Sequence, residues 1–203
     1  MMFYETSRRD HGLPHDPFKA IVAPRPIGWI STLSRDGIAN LAPYSYFNAI
    51  SSRPDLILFS SEGEKDSVRN ARETGEFVAN HVSAGVAEAM NASSIPAPAG
   101  ISEFDHCAIA QAASRLVRPP RVAAALAALE CKVTQIIEPV GLDGNAAGVF
   151  VVVGQVVGVH IDDRVLRNGR FDVTLAEPVS RLGYLDFGGP EGLFSMVRPD
   201  WKA

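Results

Sequence analysis

The chain has 203 residues and only two cysteines, Cys107 and Cys131, neither of them in a CxxC or Cys/His spacing. This pattern supports neither a disulfide framework nor a zinc site, so we expect two reduced thiols, one of them in a strand. No HxxH or HExxH pattern is present, and His81 and His106 have no metal-ligand or triad spacing to acidic residues. We therefore expect no metal site.

Nucleotide-binding loops and hydrolase motifs are absent as well. No GxGxxG follows the first apolar segment and no GxxxxGK[ST] occurs, so nucleotide binding through a glycine-rich helix start is unsupported. The GxSxG elbow of a nucleophilic hydrolase is also missing. Any nicotinamide cofactor would therefore act as a transient substrate.

Basic charge and long apolar runs are scarce. A formal charge of -4 with 21% charged residues gives no excess of basic side chains to attract nucleic acid or an anionic membrane. The N-terminal residues lack the apolar run of a signal peptide, and the most apolar run, 146–161, is too short to span a membrane. We expect a cytoplasmic protein with one domain over 1–203, in which residues 1–17 form an N-terminal extension.

The first half of the chain reads as strands with one clear helix. Apolar runs at 27–33 and 38–45 flank Ser34-Arg-Asp-Gly37, which is a hairpin signal. Leu56 to Ser60 predicts a central strand. We expect a helix over 68–74, capped by Asp66 or Ser67 and ended by Gly75, and then a strand over 77–82.

The second half predicts a capped helix and two long strands. Ser83 is a candidate cap for a helix over 84–92. Between Ala112 and Leu129 the composition favours helix while Pro119-Pro120 breaks it, so that connection stays open. Runs at 129–140 and 148–161 predict paired strands. Short strands without βαβ alternation indicate a mainly β fold, a closed antiparallel barrel with a few short helices.

A hydroxyl-rich loop carries the main functional signal. Ser60 and Ser61 end a predicted strand, and Lys65 precedes a helix start. Such an arrangement can surround a phosphate with hydroxyls and backbone N–H groups while the lysine balances its charge. The alternative is that the serines only close a turn and the lysine is solvated. Arg69 is equally compatible with a surface position on its helix.

Five segments in a fixed order give a resemblance to a known family. They are PRPIGWIST from Pro24, NLAPYSYFN from Asn40, LFSS, KDSVRNARETGEFVAN and RLGY from Arg181. From about Phe18 to Pro199 the chain resembles the flavin reductase-like family of FMN-binding split barrels. The resemblance implies an antiparallel split β-barrel that binds FMN and forms a homodimer with FMN near the subunit boundary.

The resemblance also implies an activity and leaves alternatives open. A flavin reductase takes hydride from NADH or NADPH into FMN and passes electrons to free flavin or another acceptor. Since the flavin supplies the redox chemistry, no catalytic acid–base pair is expected. One alternative is a flavoredoxin-like electron carrier that a redox protein partner reduces. Another is a barrel without flavin that serves as a binding module.

The candidate site residues follow from the motifs. The cofactor-binding candidates are Arg25, Trp29, Ser31, Thr32, Ser45, Asn48, Ser60, Ser61, Lys65, Asp66, Ser67 and Arg69. Arg25 could clamp a phosphate or carboxylate, or form a salt bridge at a subunit contact. Asn48 is a candidate for the pyrimidine edge of the flavin, whereas Tyr46 and Phe47 are expected in the core.

Two further residues are candidates for substrate binding at the nicotinamide side. His160 ends the second long strand, where it either lies near the stacked nicotinamide or only caps the strand. Tyr184 belongs to the RLGY segment, where it either controls access to the open flavin face or only packs.

Overall fold

The computed structural model describes residues 1–190 and 193, so residues 191–192 and 194–199 of the resembling stretch lie outside the described residues. The strands are β1 Arg25–Pro26, β2 Gly28–Leu33, β3 Ala39–Tyr44, β4 Phe47–Ser52, β5 Asp55–Glu62, β6 Glu76–Asn80, β7 Gln111–Ala112, β8 Arg121–Val122, β9 Ala127–Ile137, β10 Val149–Ile161, β11 Leu166–Arg167, β12 Arg170–Phe171, β13 Ser180–Gly183 and β14 Asp186–Gly188. The helices are α1 Phe18–Ile21, α2 Asp66–Thr74, α3 Ala87–Ala92, α4 Glu103–His106 and α5 Val173–Ala176. None of these helices has both the length and the hydropathy to cross a membrane.

Seven antiparallel strands form the main sheet, in the order β3-β2-β6-β9-β10-β5-β4, and the sheet curls into a half-barrel. A smaller sheet has the order β1-β13-β14. The prediction of a mainly β, antiparallel split barrel with a few short helices is confirmed. The prediction of a closed barrel is wrong: among the described residues β3 and β4 each have one strand neighbour and are the two edges of the sheet.

The predicted hairpins are present. β2 pairs with β3 through Ile30 opposite Ala42, and Gly37 in the connecting turn has a φ of 83°, which glycine adopts without strain. β9 and β10 form the long pair at the centre of the sheet. Both pairings bury apolar side chains on the inner face, which fixes their register.

Aromatic rings fill the interior of the half-barrel. Phe59 and Phe77 are fully buried and meet edge to face, with ring centroids 5.3 Å apart. Gly154 of β10 is necessary there because a Cβ at this position would lie 2.4 Å from the Phe77 ring. Val68 and Ala71 of α2 belong to the same cluster, so α2 packs against the interior of the barrel.

A second apolar cluster lies on the opposite face of β2 and β3. Trp29 and Leu41 pack there with Met90 of α3 and Phe104 of α4. β2 is therefore buried on both faces, in contrast to the usual alternation of a sheet with one solvated face. This cluster holds α3 and α4 beside the free edge of β3.

Two sequence expectations about local structure need correction, and one connection that the sequence left open is resolved. α2 begins at Asp66, with Lys65 as the capping residue and no capping side chain, so Asp66 and Ser67 lie inside the helix. The expected helix over 84–92 is a 3-10 turn at Ala84–Val86 followed by α3. Ser83 stands at the cap position of the 3-10 turn, but its side chain makes no capping hydrogen bond. The open connection at 112–129 contains β7 and β8 and no helix.

Candidate functional site

Two adjoining cavities lie along the free edge of β3. Cavity 1 has a volume of about 340 Å³ and cavity 2 about 330 Å³. Pro43 of β3 and Ser94 line both, so the two form one continuous cleft. Each volume lies at the small end of the range for ligand cavities.

Cavity 2 contains the N-terminus of α2. Lys65, Asp66 and Ser67 line it. Because no side chain caps this end, the amide groups of the first turn have no acceptor within the helix. Their N–H groups, the positive end of the helix dipole and the Lys65 ammonium favour an anion.

A network of hydroxyl and amide side chains supports the same end of the cavity. The Asn40 side-chain amide donates to the Ser67 hydroxyl at 2.9 Å, so the edge strand β3 is tied to α2. Burial raises the pKa of Tyr44, although hydrogen bonds with Ser67 and Ser61 oppose that shift. Ser61 therefore lies beside Tyr44, which lines the cavity, while its hydroxyl donates to the Gly63 carbonyl at 3.0 Å.

Two carboxyl groups also line cavity 2. Asp66 accepts hydrogen bonds from the Arg69 guanidinium and from the Gly100 amide, so its charge is compensated. Glu103 is 6% exposed and accepts one hydrogen bond, from the Leu41 amide at 2.9 Å on the free edge of β3. Burial raises the pKa of Glu103 despite that hydrogen bond. A protonated Glu103 can donate a hydrogen bond to an anion in the cavity.

Cavity 1 is lined by cationic and aromatic side chains. Arg25, Arg181 and Lys19 supply positive charge, while Tyr184 and Phe187 supply aromatic surface. Tyr184 is 49% exposed and has a φ of 49°, in the left-handed region that few non-glycine residues adopt. Its backbone conformation holds the ring at the mouth of the cavity, beside His15.

The cleft brings together six of the fourteen candidate residues that the sequence singled out. Arg25, Ser45 and Tyr184 line cavity 1, while Lys65, Asp66 and Ser67 line cavity 2. Ser61 reaches cavity 2 only through Tyr44.

Three of the predicted cofactor residues are fully buried at other positions. Trp29 belongs to the apolar cluster outside β2, and its indole N–H donates to the Ser93 hydroxyl at 2.9 Å. Ser31 donates to the Pro120 carbonyl, and Thr32 accepts from Asn70 at 3.1 Å under α2. Their polar atoms have hydrogen-bond partners within the protein and none of the three lines either cavity, so their contact with a cofactor stays a prediction. Trp29 still acts on the cleft, because Ser93 begins the loop that walls cavity 2.

Three others lie away from both cavities. Ser60 and Ser61 are neighbours on β5, so their side chains point to opposite faces, and Ser60 pairs with Val151 outside the cleft. Asn48 was expected to be internal, but it is exposed and its side chain accepts from the next backbone amide. Arg69 lies on the outer part of α2, where it pairs with Asp66.

His160 belongs to a different polar cluster. Its Nε2 is 2.5 Å from Oε1 of Glu130, a carboxylate with no exposed surface. The same carboxylate accepts from the backbone amides of Arg115, Leu116 and Val117 at 2.6 to 3.1 Å. His160 lines neither cavity of the cleft, so the structure favours the structural alternative for this residue.

Sequence reasoning missed several residues of the cleft. Glu103 fits no triad or metal spacing in the sequence, yet Leu41 and cavity 2 lie beside it. Arg181 belongs to the RLGY motif, which pointed to this region, but only Tyr184 of that motif was among the candidates. Asn40 likewise stands in the NLAPYSYFN motif but was not among the candidates. Lys19 and Phe187 gave no sequence signal, since their roles depend on neighbours distant in the chain.

Comparison with known proteins finds a matching family and a relative that is similar over most of its length. Residues 22–178 match the family described as "Flavin reductase like domain". An uncharacterized protein of Halalkalibacterium halodurans is 37% identical over 183 residues, which cover 88% of this chain and 87% of that protein.

Two solved structures are similar along the whole fold. Nitrilotriacetate monooxygenase component B from Bacillus cereus is 26% identical, with a TM-score of 0.89 and coverage of 97% of this chain and 98% of that chain. The 2-nitrobenzoate 2-nitroreductase of Pseudomonas fluorescens is also 26% identical, with a TM-score of 0.85 and coverage of 97% and 96%.

Proposed function

Since the chain belongs to the flavin reductase-like domain family, we propose that it is an FMN-dependent oxidoreductase with NADH or NADPH as its electron donor. FMN, when bound, supplies hydride acceptance from the nicotinamide and electron transfer to free flavin or another acceptor. The protein residues bind the phosphate, border the ring and leave access for a second molecule. The single observation that carries this proposal is the uncapped N-terminus of α2 beside Lys65 in cavity 2.

The donor set of cavity 2 fits a phosphate. Lys65 would contribute a point charge, Ser67 a hydroxyl, and the first turn of α2 its free amides. Asp66 does not oppose this, because its carboxylate is already paired with Arg69 and the Gly100 amide. Glu103 also lines cavity 2, and burial raises the pKa of its carboxyl, which makes the charged form less favourable at this position.

The adjoining part of the cleft fits a planar ring. Ser45 and Pro43 offer polar and apolar atoms from the end of β3, and Tyr184 stands at the opening. A flavin needs apolar surface on one face and hydrogen-bonding groups along its edge. The redox roles in the names of the two similar structures agree with an oxidoreductase.

A titration with FMN and riboflavin tests the phosphate site. Lys65→Ala should weaken FMN about tenfold or more, because charge-assisted hydrogen bonds contribute about 1.5 to 3 kcal/mol each. Riboflavin affinity should hardly change. Lys132→Ala, on the exposed side of β9, is the matched control and should leave both affinities unchanged. Equal losses for FMN and riboflavin in Lys65→Ala would refute the assignment.

Anaerobic reduction tests the donor. The FMN-loaded protein should bleach when NADH or NADPH is added, and stopped-flow absorbance would give the rate for each. A protein that holds FMN but is bleached by neither nicotinamide would instead support the electron carrier that a protein partner reduces.

We also propose a cytoplasmic homodimer. Val159 and Ile161 lie two residues apart on β10 and are 58% and 44% exposed, which suits burial against a second copy. Sedimentation at micromolar concentration should give a dimer, and dilution that separates the subunits should release FMN if both contribute to the site. A monomer with full FMN occupancy would exclude a shared site.

A further inference from the structure

Two arginines face each other across a strand pair at cavity 1. Arg25 of β1 is directly opposite Arg181 of β13, and both line the cavity. Like charges at directly opposed positions of an antiparallel pair are destabilising. The arrangement therefore needs a compensating anion or a function that outweighs its cost.

No acidic side chain of the described residues forms an ion pair with either arginine. Arg25 is 6% exposed, and its Nη1 donates to the backbone carbonyls of Lys19 and Val22. Its Nε is buried and has no hydrogen-bond partner. Arg181 donates to the Tyr184 carbonyl, and its guanidinium lies over the Phe187 ring at 4.4 Å from the centroid.

The other charged groups of the cavity do not supply the missing anion. Asp16 pairs with Arg9 at 3.1 Å, and Lys19 pairs with Glu62 at 3.4 Å. Both of these pairs are exposed. Arginine cannot escape an unfavourable charge by losing its proton. A buried guanidinium with an unused donor therefore indicates that a ligand supplies the negative charge.

We propose that cavity 1 binds the carboxylate of a small organic acid, held by the Nε–Nη2 edge of Arg25 and by Arg181. The Nη1 of Arg25 is already occupied by carbonyls, which leaves the Nε–Nη2 edge as the two-donor face that matches the two oxygens of a carboxylate. Ile27, Met90 and Phe187 provide apolar surface for the rest of the acid.

The size and position of the cavity narrow the ligand class. The flavin ring is assigned to the part of cavity 1 at Ser45 and Pro43, so the volume of about 340 Å³ leaves room beside it for a molecule of the size of benzoate and not for a whole dinucleotide. Because Pro43 and Ser94 also border cavity 2, the acid lies in the same cleft as the proposed cofactor. If the proposed function holds, this acid is the molecule that exchanges electrons with the flavin.

Benzoate and its neutral counterpart benzamide probe the site directly. Calorimetric titration of the FMN-loaded protein and of the protein without flavin should show benzoate binding at least about tenfold tighter than benzamide. Arg25→Lys keeps the positive charge but loses the two-donor edge, so benzoate should bind about tenfold to a hundredfold more weakly. Arg164→Lys is the matched control, since Arg164 is exposed and paired with Asp162; it should leave benzoate affinity unchanged.

A second variant guards against a folding defect in the first. Arg25 also ties down the end of α1, so thermal melting of Arg25→Lys must be compared with the wild type. Arg181→Gln lacks that role and should also weaken benzoate. Equal affinity for benzoate and benzamide, or unchanged benzoate affinity in Arg181→Gln, would overturn the proposal.

Phosphate ligands test whether the two arginines bind a phosphate group instead of a carboxylate. In the FMN-loaded protein, where the FMN phosphate fills cavity 2, inorganic phosphate should bind more weakly than benzoate, and Arg25→Lys should affect NADPH and NADH equally. Tighter binding of phosphate, or a loss confined to NADPH, would assign the arginines to a nucleotide phosphate and overturn the carboxylate assignment. FMN titration of the same samples reports on the proposed function separately, since benzoate can bind whether or not FMN does.

Discussion

Two buried glutamates of this protein differ in how many donors surround them. Glu130 has no exposed surface and accepts from three backbone amides and from His160. Burial alone would raise the pKa of Glu130, but these hydrogen bonds outweigh burial and lower it. Glu103 is 6% exposed, has one donor in Leu41, and burial raises its pKa.

The difference separates a structural carboxylate from one with unused bonding capacity. All the donors around Glu130 come from the protein, so its task is to hold the segment 115–117 against β9. Glu103 has bonding capacity left and faces cavity 2. A buried polar group with too few partners is a better indicator of a ligand site than a fully satisfied one.

Removal of the Glu130 carboxylate should have the largest effect. Glu130→Ala should lower the free energy of unfolding by about 3 to 5 kcal/mol, because three amides and His160 lose their buried partner. Urea denaturation would measure it. Glu5→Ala is the control, since its exposed pair with Arg8 should contribute at most about 1 kcal/mol. A loss of under about 1 kcal/mol in Glu130→Ala would mean that the two glutamates do not differ as described.

Replacement of His160 should have the next largest effect on stability. His160→Ala should cost about 1 to 3 kcal/mol of stability by removing one donor to Glu130. FMN affinity and the rate of anaerobic bleaching should stay at the wild-type value, because His160 lines neither cavity. His160→Gln should recover part of the stability. A bleaching rate reduced tenfold in a well-folded variant would return His160 to the nicotinamide site.

The pH dependence of stability should have opposite signs for the two glutamates. The pKa of Glu130 is lower in the folded state, so its contribution is present above the unfolded pKa of about 4.3 and is lost as pH falls. The pKa of Glu103 is higher in the folded state, so its effect is a loss of stability as pH rises from about 4.3 toward the folded pKa. Each slope is at most about 1.4 kcal/mol per pH unit.

Glutamine variants isolate these two slopes. Glu103→Gln should remove the decline toward higher pH, and Glu130→Gln should reduce the decline toward acid. Urea unfolding at a series of pH values would measure both. Relative to the wild type, the slope of the free energy of unfolding against pH should therefore change in opposite directions in the two variants. Changes in the same direction would contradict the environments assigned to the two glutamates.

The smallest expected effects come from two serine substitutions, one at cavity 2 and one outside it. Ser67→Ala should cost about 0.5 to 1.5 kcal/mol of stability, since it removes the acceptor of Asn40, and it should weaken FMN more than riboflavin. Ser60→Ala should change neither quantity measurably, because its side chain points away from the cleft. An FMN loss in Ser60→Ala as large as in Ser67→Ala would contradict this orientation.

The sequence predicted the fold better than the site. Gly37, Gly75 and the apolar runs that become β2, β3, β9 and β10 are local signals, and the structure confirms the elements they mark. Errors arose where a distant segment decided the outcome. Ser83 has the right chemistry for a cap, yet its side chain makes no capping hydrogen bond and its backbone bridges the distant Pro178.

The composition and motifs of this chain determined the class of protein. Strand periodicity, turn glycines and the ordered motifs act over a few residues, so they can be read without the fold. Only the tertiary structure decided in which direction each side chain points and which residues surround it. Ser60 and Ser61 are adjacent in sequence yet point to opposite faces, while Arg25 and Arg181 are far apart in sequence yet face each other across two strands. Whether a polar side chain is satisfied depends on neighbours that only folding brings within hydrogen-bond distance.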